Sequence, residues 1–251
     1  MKFDIRSVLV DAWAMARADG DLLLRVAGFF FFLPQLAMLL LLPAMPPLSV
    51  TAGMSDADQL VVAQKVVAWV SAYGGWYLVG TLLVQAGSLV VLMLYLQRDR
   101  PDVAGAIRAG VRLFPRYLLA MIVVGLPLGI GVLTLVLLVP AFYLLGRLLV
   151  VGPVLAAEPG LSVARSLSRS WALTRGHGLV LAGLAALTVV GGALLATPFT
   201  MIATALEAGA PNVVAIAMAD AGAGVVTSAA VLATILVQIA AYRRLIASTG
   251  I

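Results

Sequence analysis

Arg147 stands alone in the stretch "AFYLLGRLLVVGPVLAAE" (141–158), which carries no other charge until Glu158. A guanidinium is a permanently charged, planar fork of N–H donors, matched in shape to a phosphate or a carboxylate. Within lipid such a charge is costly unless it is paired or hydrated. Two roles fit it. Arg147 is an anion site for a lipid phosphate, a carboxylate substrate or an internal ion-pair partner. Otherwise it is structural, reaching to the outer interface or bonding Gln85, Gln35 or a backbone carbonyl. Glu158 closes the same stretch, where a carboxylate opposes the dipole at a helix C-terminus, so Arg165 or Arg169 is its expected partner.

The following run, "GLSVARSLSRSWALTRGHG" (160–178), holds Arg165, Arg169, Arg175 and the chain's only histidine, His177, with no acid. A lone histidine without an acidic neighbour in sequence is weak support for acid–base chemistry. One histidine and no cysteine exclude thiolate catalysis, disulfides, and cysteine or multi-histidine metal sites. No phosphate-binding loop, dinucleotide fingerprint, H-E-x-x-H or nucleophile elbow occurs. "GLPLGIG" (125–131) has glycines but lies in an apolar run. No cofactor is expected, and no catalytic activity.

The elements that carry these residues belong to a membrane. Of 251 residues, 63% are hydrophobic and 11% charged, and the mean hydropathy is +1.11. Soluble domains carry about 25% charged residues. The expected fold is therefore all-α, a polytopic transmembrane bundle of about six spans. These are Leu22–Leu42 with a kink at Pro34, a span within Val66–Leu96, Tyr117–Val139, Ala141–Ala157, Leu179–Ile202 and Ala221–Ala241. Leu22–Leu42 is too long for the apolar core of a signal peptide and reads as a retained span. Pro140 marks a turn. Trp69, Tyr73, Trp76 and Tyr77 fit an interfacial aromatic belt. Gly125 and Gly129, Gly80 and Gly87, and the glycines of the last two spans are expected to pack helices closely.

Six spans place Lys2, Arg6, Arg17, Arg25, Arg98, Arg100, Arg108, Arg112, Arg116, Arg165, Arg169, Arg175, Arg243 and Arg244 on one side, 14 of the 16 basic residues. The positive-inside rule makes that side cytoplasmic, with both termini there, in a bacterial inner membrane. The same asymmetry accounts for the +5 formal charge without nucleic acid as a partner. On this side three segments share a spacing of four: Ile5, Leu9, Trp13; Val103, Ile107, Val111; and Val163, Leu167, Trp171. Each is expected to be an in-plane amphipathic helix leading a transmembrane hairpin. The single domain 1–251 would then hold three units, approximately 1–97, 98–158 and 159–251. On the third segment Ser162, Arg165, Ser166 and Arg169 form the opposite, polar side.

The run "PVLAAEPGLSVARSLSRSWALTRGHG", preceded by Arg147, resembles a family of bacterial six-span proteins. It includes the membrane domain fused to some glycerophosphodiester phosphodiesterases and the related YciC-like inner-membrane proteins. Pro153, Glu158, Ala164, Ser170, Trp171, Thr174, Arg175 and Gly176 carry the likeness. The resemblance implies a membrane domain without implying activity, since this chain has no phosphodiesterase domain and no metal-binding cluster. The expected function is a non-enzymatic, lipid-associated scaffold or accessory membrane domain; a small-molecule or lipid transporter is the alternative, and an intramembrane enzyme the least favoured. Expected partners are membrane lipids and a second copy or another membrane protein. Arg108, Arg112, Arg165, Arg169, Trp171 and Arg175 are the expected membrane-surface contacts.

Overall fold

The computed structural model describes residues 4–46, 55–97, 101–133, 137–209 and 212–249. Lys2, Arg98 and Arg100 lie outside them. Among the described residues the chain is helical, without strands, and contains six helical stretches long and apolar enough to cross a membrane. The helices are α1 (Ile5–Ala18), α2 (Gly20–Ala27), α3 (Leu33–Leu41), α4 (Asp56–Leu96), α5 (Val103–Leu133), α6 (Leu138–Arg147), α7 (Val151–Ala157), α8 (Val163–Leu173), α9 (Gly178–Ala208) and α10 (Val213–Thr249).

The first span is α2 and α3, joined by one π-helical turn, Gly28–Phe32. Pro34 supplies the reason. It has no N–H to give to the carbonyl four residues back, and Leu33 bonds instead to Gly28, five residues back. The helix widens where a proline would otherwise break it. Phe31, in that turn, is fully buried.

Several helices outrun the bilayer. At about 1.5 Å per residue, the 41 residues of α4 extend about 62 Å and the 37 of α10 about 55 Å, against about 30 Å of hydrocarbon. From Tyr73 to the end of α4 is about 35 Å, so the aromatic cluster lies about a bilayer's thickness from the basic end. Trp76 and Tyr77 are exposed there, as a belt requires. Trp69 is not part of it. It is buried, and its indole Nε1–H donates to the Pro43 carbonyl at 2.9 Å, fastening the end of the first span to α4.

The amphipathic segments divide two to one. α1 and α8 are separate helices, each followed by a span. The middle segment is not separate: Val103–Val111 is the first part of α5, which continues through Pro115 to Leu133. Pro115 removes one backbone bond without ending the helix. The fourth span also departs from expectation. It is two helices, α6 and α7, broken at Leu148–Val150, and Pro140 lies in the first turn of α6 rather than in a loop.

The three segments nevertheless keep one register. Asp4 and Ser162 are the N-caps of α1 and α8, and the Asp102 carboxylate accepts the Gly105 N–H at 2.9 Å. Four residues on, Val8, Ala106 and Ser166 are all fully buried, and four further, Ala12, Gly110 and Ser170 are buried. The bulkier stripe looks outward: Trp13 is 64% exposed, Val111 66% and Trp171 43%. Small side chains face protein and large apolar ones face away, the order suited to a lipid surround.

Glycines mark the closest seams. A Cβ on Gly87 would lie 2.3 Å from Cβ of Phe30, and one on Gly192 would lie 2.7 Å from Cβ of Ala230. Gly125 and Gly129 differ: among the described residues nothing outside their own helix backbone lies within 4 Å of a Cβ built on either, so this G-x-x-x-G is not a packing seam between described helices. Gly87→Val is therefore expected to destabilise the protein by about 1–3 kcal/mol, because α4 and the first span must separate. Gly125→Val should leave the melting temperature of the solubilised protein unchanged. Thermal unfolding of both variants checks the assignment.

Candidate functional site: the Arg147 node and the basic face

The break after α6 leaves a carbonyl to satisfy. In a continuous helix the Arg147 C=O would accept from Val151, but Val151 N–H bonds Leu148 instead. Two hydroxyls replace it. Ser170 Oγ and Thr174 Oγ1 donate to the Arg147 carbonyl at 3.0 and 3.1 Å. Both come from the end of α8.

The favour is returned by the side chain of the same residue. Arg147 Nη1 donates to the Thr174 carbonyl at 2.6 Å and Nη2 to the Trp171 carbonyl at 2.7 Å. Those carbonyls belong to the C-terminal turn of α8, where the partial charge of the helix is negative. The guanidinium also lies 4.3 Å from the centroid of the Trp171 ring. Two helix C-termini thus cap each other through one arginine.

Arg147 is 5% exposed, and Ser170 and Thr174 are fully buried. Among the described residues no carboxylate pairs with Arg147; its charge is balanced by two carbonyl dipoles and an aromatic face. Its Nε–H is buried without a partner. The reach is toward α8, not toward the outer interface, because the break lets the end of α8 dock against α6. Of the structural partners considered from sequence, the backbone carbonyl is the one observed.

Local sequence makes the node possible. A Cβ on Gly146 would lie 2.4 Å from the Ala182 backbone nitrogen, so only glycine lets α9 come this close to α6. A Cβ on Gly178 would lie 3.1 Å from Cδ of Arg147. Gly176 has a φ of +84°, the left-handed conformation that lets the chain leave α8 and enter α9. The polar side expected to meet the cytoplasm is thereby split. Arg165 is exposed, whereas Ser166 and Ser170 face protein. Hydroxyls can face inward here because each is bonded, Ser166 to the Ser162 carbonyl and Ser170 to that of Arg147.

Of the remaining described arginines, Arg25 pairs with Asp21 at 2.7 Å, and the others fall into two groups. Arg169 Nε lies 3.6 Å from Glu158 Oε1, one of the two expected pairings. Arg116 donates to the Pro159 carbonyl at 3.3 Å, and Arg243 to the Tyr95 carbonyl at 2.7 Å, while Arg244 pairs with Asp11. Tyr95 in turn donates to Asp19 at 2.7 Å. These contacts tie α10 to α1 and α4, and α5 and α8 to Glu158 and Pro159 after α7. Arg243 and Arg244 follow from no motif; their position at the end of a long helix was the one available signal. Arg6, Arg17, Arg108, Arg112, Arg165 and Arg175 form the second group, exposed and without an ion-pair partner among the described residues. Arg175 borders a crevice of about 490 Å³ that is floored by Trp171, Leu148 and Leu167.

Replacing Arg147 by leucine strips two carbonyls of a charged donor. The expected cost is about 2–4 kcal/mol in thermal or denaturant unfolding. Arg147→Lys should recover less than half of it, since a point charge cannot span both carbonyls. No protein-family model matches the chain, and neither the curated proteins nor the solved structures contain a match to it.

Proposed function

We propose that the protein is a non-enzymatic integral membrane protein of a bacterial inner membrane, whose basic end binds anionic lipid headgroups and serves as a scaffold or accessory domain. One observation carries this reading: the six exposed arginines without an ion-pair partner among the described residues share their end of the bundle with the outward apolar stripes of α1, α5 and α8. An apolar stripe beside free guanidiniums is the arrangement that lies in a headgroup layer, with side chains in the acyl region and charges at phosphate level. Arg175 lies beside the exposed Trp171, and Arg6 beside Ile5, Leu9 and Trp13 around a shallow apolar surface. Arg147 and Glu158 belong to the supporting structure on this reading, and their neighbours favour it over transport: Val150, Val151, Val154, Leu181 and Leu184 are fully buried.

The positive-inside rule makes this end cytoplasmic, with both termini there. Three units of the same plan, approximately 1–97, 98–158 and 159–251, present it, as the common register supports. The likeness to the membrane domain of the phosphodiesterase-linked and YciC-like proteins rests on Pro153, Glu158, Ala164, Ser170, Trp171, Thr174, Arg175 and Gly176, of which Ser170, Trp171 and Thr174 touch Arg147.

Replacing Arg108, Arg112, Arg165 and Arg175 together with glutamine is expected to weaken phosphatidylglycerol binding by 10-fold or more, at about 1 kcal/mol for each surface charge. Native mass spectrometry of the detergent-solubilised protein with added phosphatidylglycerol or phosphatidylcholine measures this. Equal retention of the anionic lipid by wild type and variant would exclude the headgroup reading. Because the chain has no cysteine, single cysteines at Ser168 and Gln64 report orientation by impermeant thiol labelling of intact cells. Gln64 should label and Ser168 should not.

A further inference from the structure

At the end remote from the arginines, α3, α4, α9 and α10 enclose a groove of about 740 Å³. That volume is in the range of small-molecule sites. Its walls are mixed. Leu39–Leu42, Met45, Val213 and Ile216 make an apolar side, and Trp69 and Tyr77 an aromatic one, their rings 5.9 Å apart with Trp69 held by its bond to Pro43. The polar lining is Gln35, Thr81, Thr200 and Thr204 with two carboxylates, Glu207 from the last turn of α9 and Asp220 from α10. No lysine or arginine lines it.

Asp220 is the unusual member. It is only 9% exposed, yet it lines the groove and has no hydrogen-bond or ion-pair partner among the described residues. Among the described residues its electrostatic neighbour is Glu207, a like charge. A carboxylate withdrawn from water without a partner is costly, and a second carboxylate beside it adds to the cost. A cation in the groove would remove both penalties at once. The carboxylates alone do not choose the cation, but the rest of the lining does. Its apolar and aromatic walls favour an organic cation with a hydrocarbon body over a hydrated metal ion. The aromatic belt places the groove at the membrane interface, where such a molecule partitions.

We propose that this groove binds an ammonium-bearing amphiphile, its nitrogen between Asp220 and Glu207 and its hydrocarbon along α3 and α10. A lipophilic amine and the ethanolamine head of a phospholipid share that chemistry. The site is independent of the basic end, so its failure would leave the lipid-headgroup reading untouched, and the reverse.

Titration calorimetry with octylammonium on the protein in dodecyl maltoside tests it, with octanol as the neutral counterpart. Wild type is expected to bind octylammonium at least 10-fold more tightly than octanol. Asp220→Asn should lose that preference, Glu207→Gln should lose part of it, and Asp220→Glu, which keeps the charge, should retain it. The last variant separates loss of the site from loss of the fold. Equal binding of octylammonium by wild type and Asp220→Asn, or of octanol and octylammonium by wild type, would overturn the proposal. Added phosphatidylethanolamine, compared with phosphatidylglycerol, distinguishes the sources. Competition by the first alone identifies a lipid head, and competition by neither identifies a free amine.

Discussion

The rest of the basic end depends on the way Arg147 closes two helix ends at once. A helix that stops inside a membrane protein leaves carbonyls that lipid cannot satisfy. Here α6 stops at Arg147 and α8 stops at Leu173, and the open carbonyls of each are met by groups from the other. Remove the arginine and both ends lose partners, because the hydroxyls of Ser170 and Thr174 reach the Arg147 carbonyl only while α8 is docked. The cation is stabilised by oriented dipoles and the face of Trp171 rather than by an anion. That arrangement turns both Nη groups of the guanidinium onto carbonyls and away from any anion.

Close helix approach is the second requirement. Gly146 and Gly178 let α9 lie against α6 beside the arginine, and Gly87 admits Phe30 and Phe31 of the first span. In lipid the contact itself must supply the stabilisation, since moving an apolar side chain from acyl chains to protein gains little hydrophobic free energy. This explains the inverted pattern of α1, α8 and the start of α5, whose small or hydroxyl-bearing faces are buried while Trp13, Val111 and Trp171 are exposed.

The same physics sets how far the structure was legible in the sequence. Six apolar runs and the placement of arginines needed only length and charge, and both are strong signals in a chain with so few charged residues. The separate helices α1 and α8 were legible from their spacing. The continuity of α5 was not, because Pro115 reads as a boundary but lies where the helix tolerates the loss of one bond. Nor was the break at Leu148–Val150, since no glycine or proline occupies it; it exists because hydroxyls 23 and 27 residues beyond Arg147 take the role of the missing N–H. Trp69 was misassigned to the belt because composition cannot tell an indole that faces lipid from one that meets a carbonyl. The outer groove had no motif at all: Gln35, Trp69, Glu207 and Asp220 are brought together from four helices by packing alone.

Hydrogen–deuterium exchange of wild type and Arg147→Met in the same detergent tests the central claim most directly. If Arg147 is the shared cap of α6 and α8, amides from Leu148 to His177 should exchange at least 10-fold faster in the variant. Those of α4 and of the Ala221–Ala241 part of α10 should remain as protected as in wild type. Unchanged exchange across Leu148–His177, or acceleration spread evenly over every helix, would contradict the account.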